Sequence, residues 1–292
     1  MYELIKVSES CYYIDCPSKI GIVKISEDEV CLIDSGNEKG TGKKILRIVE
    51  EQGWKVAAIL NTHSHADHIG GNAFLQEKTG CKIYAPDIER DFTEHPVLES
   101  AILYGGYPSA DLRHKFLLAE PSAVEKLTPE NIPADLEAIP LSGHWFSMVG
   151  FKSKDGIVYL ADALSSEQTL LKYGIGVIYD VAAYLDTLEK IKGMEAALFV
   201  PSHAEPTADI KPLADINIAA VKKTAAHIIE ICKTPSSFED ILKSLFDIYG
   251  LSLDFQQYAL VGCTVRSYLA YLKDSGKVTV IFADNRMLWQ SL

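Results

Sequence analysis

The sequence predicts a protein of mixed α/β structure, with a large domain followed by a smaller, mostly helical one. Short β-rich runs separated by turn residues fill residues 1–34, and helices then alternate with strands as far as about residue 210. Beyond that point the chain changes to three long helical segments and a hairpin. Because 292 residues can bury a large core, we expect one domain over 1–210 and a second over 211–292.

Each element is assigned from its own local pattern. Residues 40–53 place Ile45, Leu46, Ile48 and Val49 among charged side chains, which is typical of an amphipathic helix. Short apolar runs bounded by turn residues are interpreted as strands. The predicted strands are 11–14, 21–25, 30–33, 56–60, 81–84, 139–144, 156–160 and 198–200. The predicted helices are 40–53, 69–79, 180–192, 213–232, 236–249 and 255–272, followed by a hairpin over 277–289.

A cluster of ligand-type side chains lies between the strand 56–60 and the helix that follows it. His63, His65, Asp67 and His68 fall within six positions. Neutral imidazole and carboxylate are ligands of borderline divalent metals such as zinc. Residues i and i+2 of an extended segment point the same way, so His63 and His65 can share one metal while Asp67 and His68 can reach a second. The spacing therefore predicts the start of a two-metal site rather than a solvated loop.

Three later strand ends carry further ligand-type residues, namely His144, Asp162 and His203. Loops at strand ends are where a rigid scaffold often presents functional side chains. Asp34 also follows a strand. Its position alone favours a turn residue, and the alternative is a carboxylate that orients a metal-binding histidine.

With these residues in hand, the chain resembles the metallo-β-lactamase superfamily. The family's His-x-His-x-Asp-His motif matches residues 63–68, and its later histidine, bridging aspartate and last histidine match His144, Asp162 and His203. The resemblance implies a four-layer αββα sandwich with the metals at one edge, and it strengthens the expectation that Asp34 orients a metal ligand. The implied ligand sets are His63, His65 and His144 for one metal and Asp67, His68 and His203 for the other, with Asp162 bridging them.

Two features near the motif depart from the family pattern. Trp145 and Phe146 follow His144 where many members have a Thr/Ser-Pro-Gly type segment, and Ala161 precedes the bridging aspartate where glycine is common. Neither departure removes a ligand. The bulky Trp145–Phe146 pair suits either a wall of the substrate pocket or the core.

Residues 86–134 interrupt the alternation of strands and helices, with short helices expected over 98–104 and 111–118. An insertion of this size beside a metal site is either a lid over the substrate or a packing appendage. Tyr104 and Tyr107 flank Gly105-Gly106, a flexible pair that would let an aromatic lid move. We therefore name both tyrosines as candidate pocket residues.

The composition indicates the cellular compartment of the protein and the kinds of partner that it can bind. The net charge is −12, which argues against a general nucleic-acid binder because phosphate neutralisation needs a basic face. The six cysteines include no CxxC pair, and most lie in apolar runs that are typical of buried free thiols. The chain shows no secretory signal pattern and no apolar run long enough for a membrane span. We expect a reduced, cytoplasmic protein that does not enter the membrane.

The complete ligand set favours a hydrolase with two divalent metal ions, zinc first and iron or manganese as alternatives. Two metals would lower the pKa of a water and polarise a carbonyl or phosphoryl oxygen, and Asp67 could also orient the nucleophile or shuttle its proton. The leading hypothesis is a small carbonyl substrate of the thioester or lactone type, as in the glyoxalase II branch of the family. The alternatives are a phosphodiesterase or endoribonuclease and, less favoured, an iron-dependent redox protein.

The order of helix, helix, helix and hairpin after residue 210 resembles the winged-helix appendage of some family members, including beta-lactamase-like endoribonucleases. Residues 215–292 carry eight basic and eight acidic side chains, and the candidate recognition helix 255–272 offers only Arg266 as a cation. Phosphate binding wants a clustered basic face, so nucleic acid is disfavoured as a partner without being ruled out. The aromatic residues of this segment suit packing against the catalytic domain or another subunit, which is compatible with a homodimer.

Overall fold

The structure, a computed structural model, describes residues 2–292. The strands are β1 Glu3–Lys6, β2 Cys11–Asp15, β3 Ile20–Lys24, β4 Glu29–Ile33, β5 Lys55–Leu60, β6 Lys82–Ala85, β7 Glu125–Lys126, β8 Leu136–Pro140, β9 Val149–Ser153, β10 Ile157–Ser165, β11 Leu198–His203, β12 Val278–Ala283 and β13 Arg286–Ser291. The helices are α1 Lys39–Glu51, α2 Ala66–Ile69, α3 Asn72–Thr79, α4 Asp87–Glu94, α5 Val97–Tyr104, α6 Glu167–Tyr173, α7 Val181–Lys192, α8 Lys211–Ile231, α9 Phe238–Tyr249 and α10 Phe255–Asp274.

The first sheet has the strand order β1-β2-β3-β4-β5-β6-β7. Strands β1 to β4 pair antiparallel as the expected meander, and β4 to β7 pair parallel. The outer face of this sheet is covered by α1 and α3, because Ile45 and Leu75 pack in one cluster with Leu32. Cys31, one residue earlier on the same strand, belongs to the core on the opposite face. This alternation follows from the two-residue period of a strand.

The second sheet has the order β11-β10-β9-β8, in which β10 and β11 pair parallel and the other neighbours pair antiparallel. Its inner face packs against the first sheet through a shared core that includes Phe151, Tyr159 and Val200. Its outer face is covered by helices, since Leu160 clusters with Leu188 of α7. The four layers are helices, sheet, sheet and helices, which confirms the expected αββα architecture.

The segment predicted as one helix over 69–79 is broken into α2 and α3 at Gly70 and Gly71. A Cβ atom on Gly70 would lie 2.3 Å from the carbonyl carbon of Asn37, and one on Gly71 would lie 2.3 Å from the carbonyl oxygen of Ser35. The backbone therefore approaches the loop after β4 more closely than any side chain allows. This close approach holds the metal-binding segment against the end of β4.

The sequence did not predict five of the elements, which are the strands β1, β7 and β9 and the helices α4 and α6. Strand β9 is buried on nearly every residue and so lacks a clear alternation of polar and apolar positions. Helix α6 has no buried residue and therefore shows no amphipathic period. In the insertion, the helix expected over 111–118 is only a short 3-10 turn at Ala110–Leu112, whereas α5 forms as expected.

The C-terminal segment forms the expected three helices and hairpin. Ser237 begins α9 with a capping box, in which its side chain accepts from the backbone of Asp240 and the Asp240 carboxylate accepts from Ser237. The hairpin turns at Asp284 and Asn285, both at positive φ. The winged-helix assignment and the boundary at residue 210 remain predictions.

The helices α8, α9 and α10 share one hydrophobic core with the second sheet, because Ile228, Leu245 and Val265 cluster with Leu160 and Leu188. The C-terminal segment thus covers apolar surface of the sandwich. All six cysteines are free thiols. Within residues 2–292, no helix is both long and apolar enough to cross a membrane.

We predict that Leu245→Ala in α9 lowers the free energy of unfolding by about 2–5 kcal/mol, because a fully buried side chain leaves a cavity. Ile248→Ala on the same helix is the matched control, since Ile248 is 47% exposed and its loss costs little. Chemical denaturation of both variants measures the difference. Equal and small effects would show that the C-terminal helices are not part of the stabilising core.

Candidate metal centre

Five segments bring the seven predicted ligands to one edge of the sandwich. His63 and His65 lie in the loop after β5, and Asp67 and His68 lie in α2. The other three are His144 in the loop between β8 and β9, Asp162 on β10 and His203 at the end of β11. Their donor atoms form two groups, His63, His65, His144 and Asp162 on one side and Asp67, His68, Asp162 and His203 on the other. Asp162 belongs to both.

In the first group, three imidazole nitrogens converge. Nε2 of His63 lies 3.2 Å from Nδ1 of His65, and Nε2 of His144 lies 3.1 Å from the same Nδ1. Nitrogens that bind one zinc ion at ordinary bond lengths with tetrahedral angles are about 3.3 Å apart. The spacing of these nitrogens therefore fits a shared metal ion.

In the second group, two carboxylates and two imidazoles face one another. Nε2 of His203 lies 3.3 Å from Oδ2 of Asp67 and 3.1 Å from Oδ2 of Asp162. Nε2 of His68 lies 3.0 Å from Oδ1 of Asp162 and 3.6 Å from Oδ2 of Asp67. These are the mixed nitrogen and oxygen donors that zinc, iron and manganese accept.

Two atoms of the centre test whether a cation fits there. Among residues 2–292, Nε2 of His68 and Oδ1 of Asp162 are buried side-chain atoms that make no hydrogen bond. Buried polar atoms are normally satisfied, so an orphaned pair needs an explanation. A metal ion bound between the donors supplies it, and the residues present therefore fit a divalent cation on each side of Asp162.

The electrostatics of the centre suit metal binding. Burial lowers the pKa of His65 to about 3 and lowers that of His63 well below its usual value, so both imidazoles are neutral and can donate a lone pair. Burial opposes charge on Asp162, but His203 and His68 hold its pKa well below the usual range. Burial likewise opposes charge on His203, yet Asp162 and Asp67 raise its pKa to about 10. The carboxylates therefore attract positive charge to this point.

Asp34 fixes the orientation of His68 from behind. Its Oδ2 lies 2.8 Å from Nδ1 of His68, and its two oxygens accept from the backbone N–H and the hydroxyl of Thr62 at 2.8 and 2.7 Å. With Nδ1 bound to a carboxylate, Nε2 is the nitrogen that faces the cluster. Asp34 has a φ of 66°, a conformation that costs energy for a residue other than glycine. This geometry matches the alternative in which Asp34 orients a metal-binding histidine.

The strand β10 is distorted where it presents Asp162. Ala161 has a φ of 49°, in the left-handed region that favours glycine, and the pairing of β10 with β11 shifts register on both sides of Ala161. A bulge of this kind re-aims side chains next to functional sites. The distortion lets Asp162 reach both groups of donors.

A cavity of about 580 Å³ opens beside the second group and is bounded by Asp67 and His203. Ser18 lies at this wall, where its hydroxyl donates to Oδ2 of Asp67 at 2.7 Å. The rest of the lining is mainly neutral and polar or aromatic. It comprises Tyr2, Cys16, Pro17, Gly36, Asn37, Thr41, Phe116, Ser166, Gln168, Thr169, Lys172 and Tyr173.

None of the three predicted pocket residues lines this cavity. Tyr104 packs edge-on against Phe255, and Tyr107 is 76% exposed, with its hydroxyl accepting from Arg113 at 2.7 Å. Helix α5 ends at Tyr104 with Gly105 in the left-handed conformation. Trp145 is fully buried and packs against the ring of His65, with the centroids 4.5 Å apart and the rings tilted by 53°, so it supports the ligands from the core side.

Besides Ser18, three side chains of the site were not predicted from the sequence. Phe116 is the aromatic side chain of the insertion that reaches the cavity. Lys172 lies on α6, a helix without a sequence signal. Glu89 is a buried carboxylate that contacts Ser64 and Ser147. No local pattern marked any of them, because each reaches the site only through the folding of distant segments.

Comparison with known proteins agrees with this geometry. The family model of the metallo-beta-lactamase superfamily matches residues 13–203, a span that contains all seven donors. The chain belongs to the metallo-beta-lactamase superfamily, and it is a metal-dependent hydrolase by class.

Individual relatives and solved structures resemble this chain at low sequence identity. The chain is 31% identical to the probable metallo-hydrolase YqgX of Bacillus subtilis over 201 residues, which cover 66% of this chain and 88% of that protein. It is 28% identical to a hydroxyacylglutathione hydrolase of Pelagibacter ubique over 177 residues, 59% of this chain and 60% of that one. A metallo-beta-lactamase family protein from Thermus thermophilus has the same fold, with a TM-score of 0.71 at 16% identity and coverage of 100% of this chain and 98% of that one.

We predict that fully loaded protein holds close to two metal ions per chain. Asp162→Ala should weaken both positions because Asp162 belongs to both donor groups, whereas His144→Ala should weaken the first group and leave the second. Metal analysis of the dialysed proteins by mass spectrometry measures this. A metal content near one ion per chain in loaded wild type, or equal metal losses in the two variants, would contradict the shared position of Asp162.

Proposed function

We propose that the protein is a two-metal hydrolase that acts on a small carbonyl compound of the thioester or lactone type. The observation that carries this proposal is the pair of donor groups that share Asp162 and meet the cavity at Asp67 and His203. A substrate in that cavity lies directly beside the second group. We propose zinc as the metal, with iron or manganese as alternatives, and the cytoplasm as the compartment.

The seven donor residues would hold two cations. His63, His65 and His144 would hold one cation, and Asp67, His68 and His203 would hold the other, with Asp162 between them. When bound, the cations supply Lewis-acid polarisation of the substrate oxygen and hydroxide at neutral pH. Asp34 keeps His68 in the tautomer that presents Nε2.

Asp67 is suited to orient the attacking water or to accept its proton. The side chain of Asp67 is 36% exposed and lines the cavity, whereas that of Asp162 is 10% exposed. Ser18 donates to Oδ2 of Asp67, which holds the carboxylate in place. A general base must lie within hydrogen-bond reach of its proton, and only the carboxylate at the cavity wall meets this requirement.

The lining of the cavity favours a small substrate with few charges. Lys172 is the cation of that lining, and its other polar groups are neutral hydroxyls and amides apart from Asp67 and His203. A single cation suits one carboxylate or phosphate on the substrate. The relative named hydroxyacylglutathione hydrolase has a thioester as the substrate in its name, which supports the thioester alternative.

A phosphodiesterase or endoribonuclease is the second candidate, and the C-terminal order of three helices and a hairpin favours it. The charges argue against it, because a polynucleotide needs several cations along its path and the protein has a net charge of −12. Tight, salt-sensitive binding of RNA at physiological salt would promote this candidate over the first.

A substrate panel tests the proposal. We predict that zinc-loaded protein hydrolyses thioesters or lactones faster than a phosphodiester, and that Asp67→Asn lowers kcat by roughly two to four orders of magnitude with metal retained. Asp91→Asn, at a half-exposed residue outside the cavity lining, is the control and should leave kcat unchanged. Full activity of Asp67→Asn would exclude the proton-transfer role, and preferential cleavage of the phosphodiester would reverse the ranking of the candidates.

Lys172 gives a sharper test of substrate charge. We predict that Lys172→Ala raises KM about 10- to 150-fold for a thioester with an anionic thiol moiety, and leaves KM unchanged for an uncharged analogue, since a charged hydrogen bond contributes roughly 1.5–3 kcal/mol. Lys222→Ala, an exposed lysine of α8 outside the cavity lining, is the matched control. Identical KM changes for charged and uncharged substrates would show that Lys172 does not bind an anion.

A further inference from the structure

We propose that Glu89, on helix α4 of the insertion 86–134, is a positioning residue of the metal centre. It joins the two loops that carry the imidazoles of the first donor group. This inference rests on the metal binding in the proposed function, but it does not depend on which substrate is hydrolysed.

The carboxylate of Glu89 is fully buried and accepts from both loops. Its Oε2 accepts from the backbone N–H of Ser64 at 3.1 Å and from the Ser64 hydroxyl at 2.8 Å. Its Oε1 accepts from the backbone N–H of Ser147 at 2.7 Å and from the Ser147 hydroxyl at 3.4 Å. Ser64 lies between His63 and His65, and Ser147 lies three residues after His144. One side chain thus spans the two loops.

Trp145 strengthens the same junction. Its Nε1 donates to the hydroxyl of Ser64 at 3.0 Å, so the residue after His144 is tied to the residue before His65. Its ring packs against His65 at a tilt of 53°, with the centroids 4.5 Å apart. The hydroxyl of Ser64 therefore receives a hydrogen bond from one loop and donates one to Glu89.

The arrangement requires a carboxylate and not an amide. Each oxygen of Glu89 accepts from two donors, and the NH₂ group of a glutamine can accept from none. Burial acts to raise the pKa of Glu89, to about 7, while the donors on Ser147 and Ser64 act to lower it. Experiments at pH 8 therefore examine the ionised form.

Precise spacing of the two loops matters for the centre. Nδ1 of His65 and Nε2 of His144 come from different loops and lie 3.1 Å apart. Residues that orient metal ligands are worth roughly 10- to 100-fold in metal affinity. Through Glu89, the insertion therefore holds the two ligand-bearing loops in position. This role is distinct from that of a lid over the substrate.

Glu89→Gln tests this role, with Asp91→Asn on the same helix as the matched control, because Asp91 is half exposed and pairs with Arg90. Competition with a chromophoric chelator measures zinc affinity, and the visible absorption of cobalt-loaded protein reports the geometry of the donors. We expect Glu89→Gln to bind the first-group ion roughly 10- to 100-fold more weakly and to change the cobalt bands. Asp91→Asn should match wild type in both measurements.

A second variant keeps the positioning role testable if Glu89→Gln misfolds. Ser64→Ala removes one donor to Glu89 and the acceptor for Trp145, and thermal melting checks that each variant is folded. The double variant should lose less affinity than the sum of the single losses, because both changes act on one junction. If Glu89→Gln does not fold, the zinc affinity and the cobalt spectrum of Ser64→Ala test the positioning role in its place.

Wild-type affinity and unchanged cobalt bands in folded Glu89→Gln, or equal losses in Asp91→Asn, would overturn the inference. Neither readout uses a substrate. Failure of every substrate in the hydrolysis panel would therefore contradict the proposed function and leave the positioning role of Glu89 to be judged on metal binding alone.

Discussion

The shared carboxylate of Asp162 is the constraint on which the rest of the centre depends. It is the one donor that belongs to both groups, and it lies within 3.6 Å of His68, His144 and His203. A buried carboxylate is costly unless it is paired with positive charge. The strained backbone at Ala161 and the broken register of β10 therefore persist because they deliver this group to its partners.

Much of the fold follows from the sequence because its signals are local, and the seven donors follow from one local motif together with the family resemblance that it supports. The meander, the alternation of strands and helices and the three C-terminal helices each follow from periodicity and turn residues over short windows. The donors also stand at strand ends, where a sheet brings distant residues to one edge. The spacing of residues 63–68 identified the first segment, and the resemblance that it supported identified the remaining donors, which the structure places together.

The site residues that the sequence did not predict are brought into place by the packing of distant segments. Glu89 meets Ser147 across 58 positions, so no window of the chain contains both. Tyr107 looked suited to a lid because of its glycine neighbours, but the left-handed residue Gly105 sends it into solvent, and Phe116 reaches the cavity instead. A flexible dipeptide predicts that the chain turns, and it does not predict the direction.

Three aspartate carboxylates of the site differ in their exposure and in their partners. Asp34 is buried behind His68 and has its oxygens occupied by Thr62 and that imidazole, so it can only orient. Asp162 is buried between the two donor groups and can only bind. Asp67 alone reaches the cavity, where a proton can leave or arrive. Their environments thus distinguish three aspartates, and we propose that Asp34 orients a ligand, that Asp162 binds between the two groups, and that Asp67, itself a member of the second donor group, also takes part in proton transfer.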